Sequence, residues 1–261
     1  MAIKFWPLLL SFLSLLPCTV KAQKTDSAKT YQFISLQFGI NQIKDENLLP
    51  KVSTGTITEL SYGFEKRKLK LQQFHFTVGY SRLKTEFEDL SKTANLELNM
   101  DYNLGCQLAQ KNNFTYYLGP ELRLSYNACY FPNWDDSHLY WADHLSIGAQ
   151  NNFLLQFKNK NTWLTSISMP LFSIFSRPEL YRLYKIDDID FAGFAVNLNS
   201  NITAAHLTNV FYLSLQSEYC FPAFENKSEA FTYTFKWLRV KHDEGNPFNQ
   251  INHQIGIKFF L

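Results

Sequence analysis

Ala94-Asn-Leu-Glu-Leu-Asn-Met-Asp-Tyr-Asn-Leu-Gly-Cys-Gln-Leu108 alternates without interruption. Ala94, Leu96, Leu98, Met100, Tyr102, Leu104, Cys106 and Leu108 are apolar, while Asn95, Glu97, Asn99, Asp101, Asn103, Gly105 and Gln107 are not. A period of two puts each set on its own face of a β-strand, one apolar and one polar. Segment 114–128 repeats the pattern, with Phe114, Tyr116, Leu118, Pro120, Leu122, Leu124 and Tyr126 on its apolar side. Segment 144–157 does so again through Leu145, Ile147, Ala149, Phe153, Leu155 and Phe157. No formal charge falls on the apolar face of any of the three.

Shorter alternating stretches occur at 31–40, 56–64, 71–82, 162–171, 190–198, 208–221, 229–240 and 251–261, so the pattern predicts about eleven strands. The longest greatly exceed the 5–6 residues usual in soluble proteins, and about 10 suffice to cross a bilayer at the usual tilt. Polar turns at 65–68, 110–113 and 158–161 alternate with longer links at 41–55, 83–93, 129–142 and 172–189. Alternating short and long links mark an up-and-down antiparallel barrel with its long loops at one end. If both termini lie on the same side, the strand count is even. We therefore expect about twelve strands, one of them hidden in 172–207, with ten as the alternative.

The chain ends Ile255-Gly-Ile-Lys-Phe-Phe-Leu261, an alternating strand with an aromatic pair next to the last residue. This resembles the closing strand of Gram-negative outer-membrane β-barrel proteins, although their terminal Phe is Leu261 here. The resemblance implies outer-membrane lipid around the barrel and assembly machinery that reads the C-terminal strand. Residues 1–22 have the pattern of a signal peptide: basic Lys4, an apolar run from Phe5 to Leu16, and Val20-Lys21-Ala22 before Gln23. Pro17 before Cys18 argues against a lipobox. Lys21-Ala22-Gln23 also looks like Bacteroidota cleavage regions. Residues 23–261 are then the barrel, located in the cell outer membrane.

Composition excludes other classes. Of 261 residues, 46% are hydrophobic, 16% aromatic and 18% charged, which is too apolar for a disordered chain. Without Lys4 and Lys21 the 23 basic residues balance 23 acidic ones, so nothing in the charge predicts a nucleic-acid partner. Cys106, Cys129 and Cys220 allow at most one disulfide, and the absence of CxxC signals no zinc or redox site. There is no GxGxxG, P-loop, HExxH or Gly-Asp-Ser motif. We expect no cofactor and no metal.

Parity places Glu59, His75, Glu97, Asp101, Glu121, Arg123, His144, Ser146, Gln150, Gln156 and Glu218 inside. Arg123 has Glu121 on its own strand and Glu97 or Asp101 on the adjoining one as partners. Glu97, Asp101, Glu121 and Arg123 are therefore read as a lumen network that either fills a small barrel or lines a pore or ligand site. His144-Leu-Ser146-Ile-Gly148 resembles the His-x-Ser-Asn-Gly core of outer-membrane phospholipase A, and a His-x-Ser pair also occurs in barrel lipid A deacylases. That likeness implies His144 as base and Ser146 as nucleophile for acyl transfer. The family's Asn is Ile147 here, no Asn is placed to orient the imidazole, and the parity points inward. A one-residue bulge before Leu145 would reverse that facing.

Loop 129–142, with Trp134, Asp135, Asp136, His138, Tyr140 and Trp141, matches no metal-site spacing and reads as an exposed loop with interfacial aromatics. Segment 177–190 mixes Tyr with alternating charge and could meet a partner or fold over the barrel mouth. The expected protein is a non-enzymatic outer-membrane barrel serving as narrow channel, scaffold or surface-binding protein. The alternatives are a lipid hydrolase using His144 and Ser146, and a soluble secreted β-sandwich.

Overall fold

The three longest alternating segments are strands in the computed structural model of the chain, whose described residues are 30–45, 51–85, 92–130, 139–177, 202–205, 207–222, 228–241 and 246–261. The strands are β1 (Thr30–Asp45), β2 (Ser53–Arg67), β3 (Lys70–Lys84), β4 (Thr93–Lys111), β5 (Phe114–Tyr130), β6 (Leu139–Trp141), β7 (Asp143–Gln156), β8 (Thr162–Ser176), β9 (Thr203–Ala205), β10 (Val210–Pro222), β11 (Ser228–Val240) and β12 (Phe248–Phe260). All pairings are antiparallel, the long strands pair in chain order, and β1 closes on β12.

Twelve strands form among the described residues, but ten close the barrel. The two short ones only prolong its wall. β6 pairs with β5 in the same register as β7 does, so β6 and β7 make one stave interrupted at Ala142. β9 pairs with the far end of β8, above the point where β8 joins β10. Direct pairing of β8 with β10 leaves no stave between them, which corrects the strand expected in 172–207. Segment 190–198 lies outside the described residues, as do the signal-peptide segment and positions 131–138 of the aromatic loop.

Following hydrogen-bonded partners once round the barrel from Lys70, through Cys106, Leu118, Asn151, Ile167, Leu215, Phe235, His253, Ile40 and Thr56, returns to β3 at Arg82. This is a shear of twelve residues. With about 3.3 Å per residue along a strand and 4.7 Å between strands, it tilts the strands by about 40° and gives a backbone radius of roughly 10 Å. Side chains reaching inward from opposite walls of such a cylinder meet near its axis.

Two bulges interrupt the alternation. One lies between Gln107 and Ala109 of β4, leaving Leu108 outside, and one at Leu171 of β8, beside Pro170. A proline cannot donate to the ladder, so a bulge is where it belongs. Leu171 and Phe172 consequently both face out, and the pattern that blurred at this point resumes with inward Ser173 and Phe175. The turns are tight at the opposite end from the long links: Asn112 between β4 and β5 has φ 52°, a left-handed conformation that Asn tolerates.

The apolar parity faces outward all round. Leu36, Phe38, Ile40, Leu60, Phe76, Leu96, Met100, Ile147, Phe231, Ile255 and Ile257 are exposed, although they are mid-strand residues. A soluble monomer rarely exposes apolar patches beyond a few hundred Å². A belt round the whole circumference is the surface of a barrel made for lipid. One closed sheet also excludes the two-sheet sandwich.

Candidate functional site

Inside the barrel the side chains fall into layers. At the turn end, Leu71, Tyr117, Leu154 and Leu164 form one buried cluster, and Phe33, Cys220, Ala230 and Phe260 another. Together they make an apolar floor. Gly63 leaves room for the Phe33 ring, whose Cζ would lie 2.7 Å from a Cβ there.

Ion pairs lie above this floor. Lys258 donates to both Glu218 oxygens, at 2.7 and 2.9 Å, with its ammonium 3.9 Å from the Phe33 ring centre. Glu65 pairs with Arg67 and accepts from Gln73. Higher up, Arg123 binds Asp101 through Nε and Glu121 through Nη2, the latter at 2.8 Å. Its guanidinium stacks 3.8 Å from the Tyr212 ring centre. Across the lumen, Lys236 donates to both oxygens of Glu59, at 2.7 and 2.9 Å.

Glu97 has a different environment. It is surrounded by carboxamides, accepting from Asn95 at 3.0 Å, Asn41 at 3.3 Å, Gln250 at 2.5 Å and Asn252 at 3.4 Å. Gln250 in turn links to Asn41 and Asn127. Of the four residues read as one network, Asp101, Glu121 and Arg123 therefore meet directly, and Glu97 belongs to the next layer. Lys236, Lys258, Tyr212 and the carboxamides were not singled out in the sequence. Inward parity could have found the two lysines. Their partners depend on cross-barrel geometry that no local pattern contains.

Above Glu97 an apolar roof closes the long-link end, with Ile43, Leu83, Cys129, Tyr140, Ala142, Phe175, Val210, Leu238, Val240 and Phe248 buried together. Arg177, fully buried, ties this end together. Its Nε donates to the Tyr140 hydroxyl at 2.7 Å, Nη1 to the carbonyls of Val240 and Asn246 at 2.8 and 2.7 Å, and Nη2 to Asp45 at 2.8 Å. Among the described residues, two small adjoining cavities of about 30 and 40 Å³ lie between the layers, with His75, Asp101, Arg123, Ser214 and Gln216 lining both. Each has room for a few water molecules and no more.

His144 and Ser146 also point inward, at 2% and 3% exposure. The β5–β7 register runs unbroken from Ser125↔His144 to Phe114↔Leu155, so no bulge reverses them. Ser146 Oγ bonds Ser173 Oγ at 2.7 Å, and neither His144 ring nitrogen has a hydrogen-bond partner among the described residues. The two side chains share a face without forming a dyad. No cluster of three metal-ligating side chains occurs among the described residues. Gln150 bonds Gln73 and Asn152 inside the lumen, while Gln156 is exposed at the turn end.

No protein-family model and no curated protein matches this chain. Solved structures do. The outer-membrane protease OmpT of Escherichia coli aligns with a TM-score of 0.52 and 9% identity, over 91% of this chain and 99% of OmpT. The translocator domain of the Neisseria meningitidis autotransporter NalP aligns at 0.41 and 6%, over 97% and 95% of the two chains. The β domain of the Bordetella autotransporter BrkA gives 0.42 and 10%, over 90% and 100%. The chain has the fold of the Gram-negative outer-membrane β-barrels. At 9% identity the likeness to OmpT carries the architecture and no activity.

Proposed function

We propose that this chain is an integral outer-membrane protein whose closed, non-enzymatic barrel holds its long links at the cell surface as a scaffold or binding platform. The observation that carries this reading is the filled lumen: an apolar floor, paired charges, the carboxamide layer around Glu97 and an apolar roof. A ten-stranded barrel of this radius is at the size that side chains can fill, unlike the 16-stranded porins. The short turns face the periplasm and the long links the exterior. Residues 1–22 direct export, and the C-terminal strand is the element offered to the assembly machinery. The arrangement of His144 and Ser146 gives the hydrolase alternative no support.

The test is topology on whole cells. An epitope placed in 131–138 is expected to react with external antibody, and one in 158–161 only after the outer membrane is breached. The protein should fractionate with outer membranes and show heat-modifiable migration. Recovery in the soluble periplasm, or equal reactivity of the two epitopes on intact cells, would contradict the reading.

A further inference from the structure

The outer surface of the barrel is not uniform. At the long-link end, outward positions of β1, β3 and β11 carry Lys44, Arg82, Lys84 and Arg239, the last three exposed. Polar side chains bridge them in register. Asn249 of β12 pairs with both Arg239 and Lys44, and Thr54 of β2 pairs with both Gln42 and Lys84. The patch spans five adjacent strands, about 19 Å at 4.7 Å per strand. Lys92, exposed just before β4 and next to the Leu83–Thr93 pair, extends the series by one strand. Beyond it β5, β7, β8 and β10 have no exposed cation at this level among the described residues, and Leu96 and Tyr130 are exposed instead.

A second feature lies on the same wall, inside the apolar belt. His253 is exposed on β12, between Ile40 and Phe235, and its Nδ1 lies 3.1 Å from the Tyr233 hydroxyl. Its Nε2 has no partner among the described residues. From the register and a rise of about 2.5 Å per tilted residue, His253 sits roughly 8 Å below Arg82 and Arg239. An ionisable side chain on a lipid face is costly unless something polar meets it.

We propose that the outer half of the β11–β12–β1–β2–β3 wall docks one outer-leaflet glycolipid carrying two phosphoryl groups. This rests on the orientation proposed above. Arg239 and Lys44 meet one phosphoryl group, and Lys84 and Arg82 meet the other. The two cation pairs centre on β12 and on β3, three strand spacings or about 14 Å apart, too far for one phosphate to meet both. The acyl chains run down over Ile40, Phe38, Phe235 and Ile255, and His253 with Tyr233 meets the ester or hydroxyl oxygens at the top of those chains.

The test uses the full chain refolded in detergent, with folding read from heat-modifiable migration and lipid binding from native mass spectrometry. The probes are a bisphosphorylated lipid A, the same lipid after phosphatase treatment, and phosphatidylglycerol. We expect the bisphosphorylated lipid to bind best, and Arg82→Ala with Arg239→Ala to weaken it about thirtyfold, at the usual effect of a cation near an anionic surface. His253→Leu should weaken binding of the treated and untreated lipid alike. Lys66→Ala with Lys111→Ala, at the opposite rim, should change nothing. Equal binding of all three lipids, or no effect of the Arg82 and Arg239 changes in a protein that still migrates as a folded barrel, overturns the docking site alone. Loss of heat-modifiable migration in the unaltered protein overturns the barrel reading itself.

Discussion

Lys258 shows what a buried charge does in this lumen. It is 1% exposed and holds Glu218, which is 2% exposed, through both carboxylate oxygens. Removing one member of such a pair strands the other in a poorly solvated place, whereas replacing both by apolar groups of similar volume is often neutral. Lys258→Met should therefore destabilise the refolded barrel by about 3–5 kcal/mol in urea titration, and Lys258→Met with Glu218→Leu should recover most of it. Equal losses in both would mean the pair is worth more than its replacement. Ser146→Ala removes one neutral hydrogen bond, to Ser173, and should cost about 1 kcal/mol. Fatty-acid release from phospholipid or lipid A should stay at background before and after that change. Hydrolysis lost with Ser146 would reinstate the enzyme reading. The sequence showed that Glu59, Glu218 and Arg123 point inward, because parity alone decides that. It did not show that Lys236 answers Glu59 from a strand 177 positions away, because barrel closure, not local pattern, brings them together.

Strands are legible where alternation is unbroken and illegible where one residue is added. Segments 94–108 and 114–128 read correctly because every outward residue is apolar and every inward one but Tyr117, which joins the apolar floor, is polar or small. The structure only extends them, to Lys111 and to Tyr130. β8 was cut short at 171 because the bulge beside Pro170 puts two consecutive residues outside and shifts the parity. The expected twelfth stave had the same origin, since a blurred pattern invites an extra strand that closure does not need. The lipid face should nevertheless respond to depth. Leu122→Arg on β5, near the middle of the belt, is expected to cost about 2–4 kcal/mol and to impair assembly. Leu98→Arg, nearer the long-link end, should cost less, and Asn99→Ser on the inner face should be tolerated. Refolding yield and urea midpoints in lipid vesicles decide it. Equal effects of Leu122→Arg and Asn99→Ser would reverse the facing.

At the scale of the whole molecule, a shear of twelve over ten strands fixes the radius, and the radius fixes how far inward-pointing side chains must reach. The result is a wall for lipid outside and stacked plugs inside, with Arg177 tying Tyr140, Val240, Asn246 and Asp45 together at the long-link end. Fold class and the outward face were open to sequence reading because both depend on period-two patterning. Whether the lumen is open was not, because it depends on which inward side chains meet across the axis. The most direct measurement is planar-bilayer recording of the refolded full chain, with its folded state confirmed by heat-modifiable migration. The structure predicts no steady conductance above the lipid baseline at moderate voltage. Reproducible ohmic channels would contradict the closed barrel and make this protein a pore.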